Sequence, residues 1–142
     1  MTHVSEIMTS NPHYVDTSDN VVSAARVMAA GDIGAVPVMG EDKRLKGMLT
    51  DRDIVVRVLA EGKDPMAVHA GEVVRGPVVT VRPDDDAADA LRAMADHQVR
   101  RLPVSEDGAG LVGIVSQADV ARVLPESDVG GVVGLISERN ER

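Results

Sequence analysis

The apolar residues of this chain follow two rhythms that alternate along it. Short β-rich runs, HYVDT (13–17) and VVTVR (78–82), each give way to a segment with helical spacing. In SDNVVSAARVMAAGD, Val21, Ala25 and Met28 fall at i, i+4 and i+7, with Ser18 or Asp19 placed to cap the N-terminus. In DDDAADALRAMADHQ, Ala87, Leu91 and Met94 repeat that spacing, behind acidic residues that suit the positive end of a helix dipole. Two strands follow each time, GAVPVMG then LKGMLT, and RRLPVSE then LVGIVS, separated by the polar turns EDKR and DGAG. Closing helices are predicted in DRDIVVRVLAEG and QADVARVLPES, ended by Gly62 and Pro125.

The order strand–helix–strand–strand–helix is therefore written twice. Gly47 and Gly113 stand 66 positions apart (113 − 47), and that shift also lays Ala24 on Ala90, Met28 on Met94, Pro37 on Pro103, Val38 on Val104, Leu45 on Leu111 and Asp53 on Asp119. The chain divides into a first repeat at 4–62, a linker at 63–70, a second repeat at 71–124 and a tail at 125–142. One such unit is marginal alone, so an α+β fold is expected, with two pseudo-symmetric β-α-β-β-α repeats packed through their sheets. In the tail, Val129, Val132, Val133 and Ile136 share one helical face, which predicts a short docking helix despite Gly130, Gly131 and Gly134.

Composition narrows the chemistry. With 142 residues, 44% hydrophobic, the chain can bury a real core, and with Tyr14 as its one aromatic residue that core is aliphatic. It has no cysteine, which excludes disulfides, thiol redox chemistry and thiolate metal sites. A net charge of −8 argues against nucleic acid as a partner. No apolar run approaches the roughly 20 residues of a membrane span, and the N-terminus lacks a signal peptide's basic start and apolar stretch. A cytoplasmic location is expected. No HExxH, Gly-x-Ser-x-Gly, P-loop or Gly-x-Gly-x-x-Gly motif is present, so no catalytic residues or catalytic cofactor are assigned. The four histidines are scattered, with His3 and His13 near an N-terminus expected to be mobile, and no metal site is assigned.

The strongest candidates for a site lie in the echoing loops GMLTDRD and GIVSQAD. Each puts a hydroxyl, Thr50 or Ser116, at the end of a strand and a carboxylate, Asp53 or Asp119, three residues on. Two roles fit. Asp and Thr are favoured helix caps. A carboxylate also accepts from the vicinal hydroxyls of a ribose, while the hydroxyl and free N–H groups at a helix start suit a phosphate. One residue can play both parts. The repeats differ upstream: Arg100 and Arg101 stand in VRRLPV where the first repeat has Gly34 and Ala35, and an Arg can form charge-assisted bonds to phosphate.

These residues carry a likeness. EIM, AARVM, IGAVPV and LKGMLTDRDI, echoed by EVV, ALRAM, VRRLPV and LVGIVSQADV, resemble a tandem pair of CBS domains, a Bateman module, and among these the small stand-alone proteins of the hypoxic response type. The resemblance spans nearly all of 4–124. It implies a non-catalytic sensor that binds AMP, ADP, ATP or a related adenosine compound in the cleft between repeats. Asp53 and Asp119 would hold ribose hydroxyls, Thr50 and Ser116 would meet phosphate or ribose, and Arg100 or Arg101 would approach phosphate. Val36, Pro37 and Val15, with Leu102, Pro103 and Val81, are candidate walls for the adenine. The second repeat is the better phosphate site; the first is weaker, base-selective or empty, with Arg52 and Lys46 in partial compensation. A homodimer is implied, and a separate protein partner is open. The alternative is a ligand-free dimeric interaction protein whose aspartates only cap helices.

Overall fold

Gly47 and Gly113 mark the fold's organising feature, because each touches a segment outside its own repeat's strand–helix unit. The computed structural model describes residues 1–74 and 78–124. Its elements are α1 (Val4–Ile7), β1 (Thr9–Ser10), β2 (Val15–Asp16), α2 (Val21–Gly31), β3 (Ala35–Met39), β4 (Leu45–Thr50), α3 (Asp51–Ile54, continued by a π-helical turn Val55–Leu59), α4 (Ala70–Val73), α5 (Ala87–His97), β5 (Arg101–Val104), β6 (Gly113–Ser116) and α6 (Gln117–Ala121). They form two three-stranded sheets, β2-β3-β4 and β1-β6-β5. The hairpins share one register, with Pro37 opposite Met48 and Pro103 opposite Ile114. Strand β2 runs parallel to β3, and in the second sheet Val81 makes a single parallel bridge to Val104. The α+β class and the twofold repetition are thus present as expected.

The two compact units do not coincide with the sequence repeats. The first-repeat unit is His13–Val79, and the second-repeat unit is Met1–Pro12 joined to the chain from Thr80 on. Each unit is completed by the segment that precedes the other's strand–helix core. The Val4 N–H donates to Asp85 O at 2.8 Å, the Ala87 N–H donates to Thr2 O at 2.8 Å, and β1 pairs with β6. In the first-repeat unit the same pattern recurs, Ala70 N–H to Asp19 O at 2.7 Å and Val21 N–H to Val68 O at 3.0 Å. A Cβ on Gly113 would lie 2.5 Å from Met8 Sδ and 3.0 Å from Thr9 O; one on Gly47, whose φ is +149°, would lie 2.5 Å from Val74 Cγ1. Only glycine lets these segments lie so close.

The N-terminus is consequently not the mobile segment its polarity suggests. Val4 is fully buried, and His3 bridges Asp86 with its Nδ1 3.0 Å from Asp84 O. His3 and His69 occupy matching positions before α1 and α4, where the Glu6 and Glu72 carboxylates each accept the histidine N–H at 2.6 Å. Neither short helix shows in the sequence pattern, since four residues are too few to reveal a period.

Helix α2 starts one or two residues later than a cap at Ser18 or Asp19 suggested. Asn20 caps α2, accepting from the Ser23 N–H at 2.9 Å, while Asp19 O is taken by Ala70 and its carboxylate accepts from the Asp16 N–H. Asp86 caps α5. Both helices end on a left-handed residue, Asp32 and Gln98. The first closing helix loosens to a π-helical turn rather than continuing as α to Gly62, and α6 stops at Ala121. The core is aliphatic throughout, with Met28, Val36, Val38, Leu49, Ile54 and Val58 in one buried cluster of the first-repeat unit. Each such side chain contributes about 1.5–3 kcal/mol on burial. Pro125 and the docking helix expected in 125–142 lie outside the described residues.

Candidate functional site: two matched capping boxes

In both repeats the final strand ends on a hydroxyl residue in extended conformation, Thr50 with φ −107° and ψ 160° and Ser116 with φ −111° and ψ 162°. The turn into the next helix closes a reciprocal pair. Asp53 N–H donates to Thr50 Oγ1 at 3.0 Å and Thr50 N–H to Asp53 Oδ2 at 3.0 Å. Asp119 N–H donates to Ser116 Oγ at 3.1 Å and Ser116 N–H to Asp119 Oδ2 at 2.9 Å. This is the capping box, with aspartate in the place more often held by Glu or Gln.

The capping role therefore holds in full, and it leaves something over. In each carboxylate Oδ2 is committed to the backbone, while Oδ1 faces a guanidinium: Arg57 Nε at 3.8 Å from Asp53, and Arg122 Nη1 at 3.3 Å from Asp119. The aspartate side chains are 22% and 13% exposed, and Arg122 is 72% exposed. A largely buried carboxylate is held rigidly by one oxygen and retains acceptor capacity on the other. Each hydroxyl keeps its own O–H for donation.

The strand register sorts the remaining candidates. Ala35 lies opposite Thr50 and Arg101 opposite Ser116, so these pairs share a sheet face, and Pro37 and Pro103, two residues along, share it too. Val36, 0% exposed, and Leu102, 2%, lie on the opposite face, where Val36 packs with Met28 and Val58 against the helices. Their side chains cannot wall a ligand on the hydroxyl-bearing face. Val15 and Val81 are also buried, at 3% and 5%, and so, on the hydroxyl-bearing face, are Pro37 and Pro103. Arg100, one residue before β5, falls out of this face by the same alternation, and its carbonyl accepts from the Gln117 N–H at 2.8 Å. Among the described residues neither Arg100 nor Arg101 forms an ion pair with Asp96, Glu106 or Asp107.

Backbone donors separate the repeats further, by a signal the sequence holds at one position. At the start of α3 the Asp51 N–H goes to Gly34 O, the Arg52 N–H to Asp51 Oδ1 and the Asp53 N–H to Thr50. The first repeat therefore has no free donor there, contrary to the expectation for a helix start, and it adds a carboxylate. In the second repeat Gln117 replaces Asp51, and no described residue accepts from the Ala118 N–H. Among the described residues no group of three or more His, Asp or Glu is placed to hold a metal ion, and no helix is long and apolar enough to cross a membrane.

A duplicated unit of this order, closed each time by a hydroxyl–aspartate capping box, defines a class. The CBS domain family model matches residues 4–60 and again 70–126, and the chain belongs to that family as a tandem pair. It is 45% identical over 121 residues to hypoxic response protein 1 of Mycobacterium tuberculosis, covering 85% of this chain and 84% of that one. Among solved structures, hypoxic response protein I with two coordinated zinc ions matches with a TM-score of 0.79 at 44% identity, covering 87% of this chain and 100% of that one. CBSX2 in complex with AMP shares the fold, with a TM-score of 0.73 at 24% identity over 86% of this chain and 95% of that one.

Proposed function

We propose that this chain is a non-catalytic, cytoplasmic regulatory module that binds an adenosine nucleotide at the second-repeat capping box and acts as a homodimer. The observation that carries the reading is the divided carboxylate: Asp119 Oδ2 is locked by Ser116 N–H while Oδ1 remains an acceptor in a largely buried setting. Asp119 Oδ1 takes ribose hydroxyls, Ser116 donates its O–H, and Arg101, on the same sheet face, meets phosphate together with the Ala118 N–H. Pro103 lies beside them on that face, and base selection falls to backbone groups. In the first repeat Asp53 and Thr50 present the same ribose grip, but Asp51 opposes an anion, which makes it the weaker phosphate site.

Calorimetry with AMP, ADP, ATP, NAD(H) and S-adenosylmethionine tests this. One of them binds, and Asp119→Ala and Arg101→Ala each weaken binding at least tenfold, while Asp51→Gln strengthens phosphate-dependent binding at the first repeat. No binding by any of the five at millimolar concentration sinks the nucleotide reading. The fully formed capping boxes favour one rival, a ligand-free dimeric interaction protein. Under it, Asp119→Ala lowers stability by about 1 kcal/mol and no nucleotide raises the melting temperature.

A further inference from the structure

The turn between β5 and β6 holds the chain's single Asp–Gly step, Asp107–Gly108, and the chain has no Asn–Gly step. Next to glycine an aspartyl side chain cyclises most readily, because no Cβ shields the attacking nitrogen. Asp107 and Gly108 are both exposed. Gly108 takes φ +80°, and among the described residues nothing stands within 4 Å of the place a Cβ would take. Backbone strain rather than crowding therefore favours glycine here. The β3–β4 turn meets a like demand with Lys43, at φ +65° after Asp42. The second turn is the less strained of the two, and it is the one left open to cyclisation.

Folding shuts that chemistry off. Asp107 Oδ1 accepts from the N–H groups of Ala109 and Gly110, both at 2.9 Å, and from the buried Ser105 hydroxyl at 3.2 Å. The side chain is thereby drawn past Gly108 to the two residues that follow it. The same donors favour the carboxylate over the carboxylic acid, and an ionised oxygen is a poor leaving group. We propose that Asp107–Gly108 is a conditional modification site, closed while the β5–β6 turn is formed and converted to isoaspartate when the turn opens.

In the open turn the Gly108 nitrogen attacks Asp107 Cγ. The new N–C bond forms as the nitrogen gives up its proton and one carboxyl oxygen departs as water, leaving a succinimide. Water then opens the ring: cleavage at Cγ restores the aspartyl peptide, and cleavage at the Asp107 main-chain carbonyl yields isoaspartate. No oxidant or reductant is needed, only the solvent. In isoaspartate the main chain runs through Cγ, one carbon longer, and the free carboxylate is the former main-chain carbonyl group. The cradle on Oδ1 cannot re-form as it was, so the buried Ser105 hydroxyl loses its carboxylate acceptor. The damage lies on the β5–β6 ladder that sets Arg101 opposite Ser116, and it leaves the covalent structure of the first-repeat unit untouched. This chemistry is independent of whether a nucleotide binds.

Ageing of the full chain at neutral pH, native and in urea, tests this. Carboxyl methylation by an isoaspartyl methyltransferase counts the isoaspartate, and peptide mapping locates it. In urea, isoaspartate appears at Asp107 before any other aspartate, and the native chain forms it at least about tenfold more slowly, since only the open turn reacts. Ser105→Ala removes one donor, which raises the native rate severalfold and leaves the rate in urea unchanged. Asp107→Asn keeps an oxygen acceptor for the turn; its deamidation, read as a gain in mass, is likewise fast in urea and slow in the native chain. That second variant carries the test if Ser105→Ala does not fold. Equal rates for the parent chain in the two conditions overturn the protection, and isoaspartate arising first elsewhere in urea overturns the site. A folded Ser105→Ala chain that ages no faster than the parent overturns the donor cradle as the cause.

Discussion

Asp53, Asp119, Asp42 and Asp107 show how much a short carboxylate does when backbone donors surround it. In the turn between β5 and β6, Asp107 Oδ1 accepts from the N–H groups of Gly110 and Ala109, both at 2.9 Å, and from the buried Ser105 hydroxyl at 3.2 Å. These donors, the Gly110 N–H foremost, favour the ionised form and pull its pKa down to about 2. Asp42, in the matching turn of the first repeat, is lowered by the Arg44 N–H and then by Lys46. Since the folded Asp107 pKa lies below the unfolded one, its contribution to stability is complete above pH ~4 and drains away as the pH falls toward about 2. A carboxyl-carbon NMR titration should place the Asp107 midpoint near 2, well below the ordinary carboxylate range. A midpoint near 4 would mean that the turn does not hold its three donors in solution.

At the scale of elements, the two glycines of the echoing loops make the sharpest prediction. Gly113→Ala sets a methyl 3.0 Å from the Thr9 carbonyl oxygen, and backbone cannot turn aside as a long side chain can. The substitution should loosen β1 and α1 from β6, lower stability by about 1–3 kcal/mol, and raise amide exchange at Thr9 and Val4 more than at any residue of 13–74. Uniform loss across both units would show that the close approach is not local. Much of this level was legible in the chain. Helices α2 and α5 announced themselves because three apolar positions at i, i+4 and i+7 need a helix to share a face, and the hairpins because Pro-Val runs flank polar turns. What stayed hidden was set by pairing over distance. Asn20 caps α2 because the backbone of Asp19 and the bridge to His69 hold the chain extended until that point. Val36 and Pro37 look alike as candidate walls until the register puts them on opposite faces of β3. Arg101 and Ser116 are likewise far apart in the chain and become neighbours only through the β5–β6 ladder.

For the whole molecule, the exchange of leading segments makes the repeat boundary and the folding boundary different things. A fragment covering 4–62 matches the first sequence repeat but lacks Ala70 and Val73, both in the buried cluster, and bares the Gly47 edge. A fragment covering 13–79 keeps its core together. Circular dichroism on heating should show a cooperative transition for 13–79 and a broad, weak one for 4–62; equal cooperativity would mean that the preceding segment adds little. Fragments cut at unit boundaries are thus the proper material for asking which half holds a ligand.

The same exchange imposes a timetable on a chain made from its N-terminus. Residues 13–79 form one of the two compact units, so this half can begin to close while the rest is still on the ribosome. Residues 1–12 precede them yet find their partners, Pro83 to Ala87 and then β6, only about eighty to a hundred positions later. Until then Val4 and Met8 are apolar side chains without their packing partners, and a chaperone that greets nascent chains would find them there.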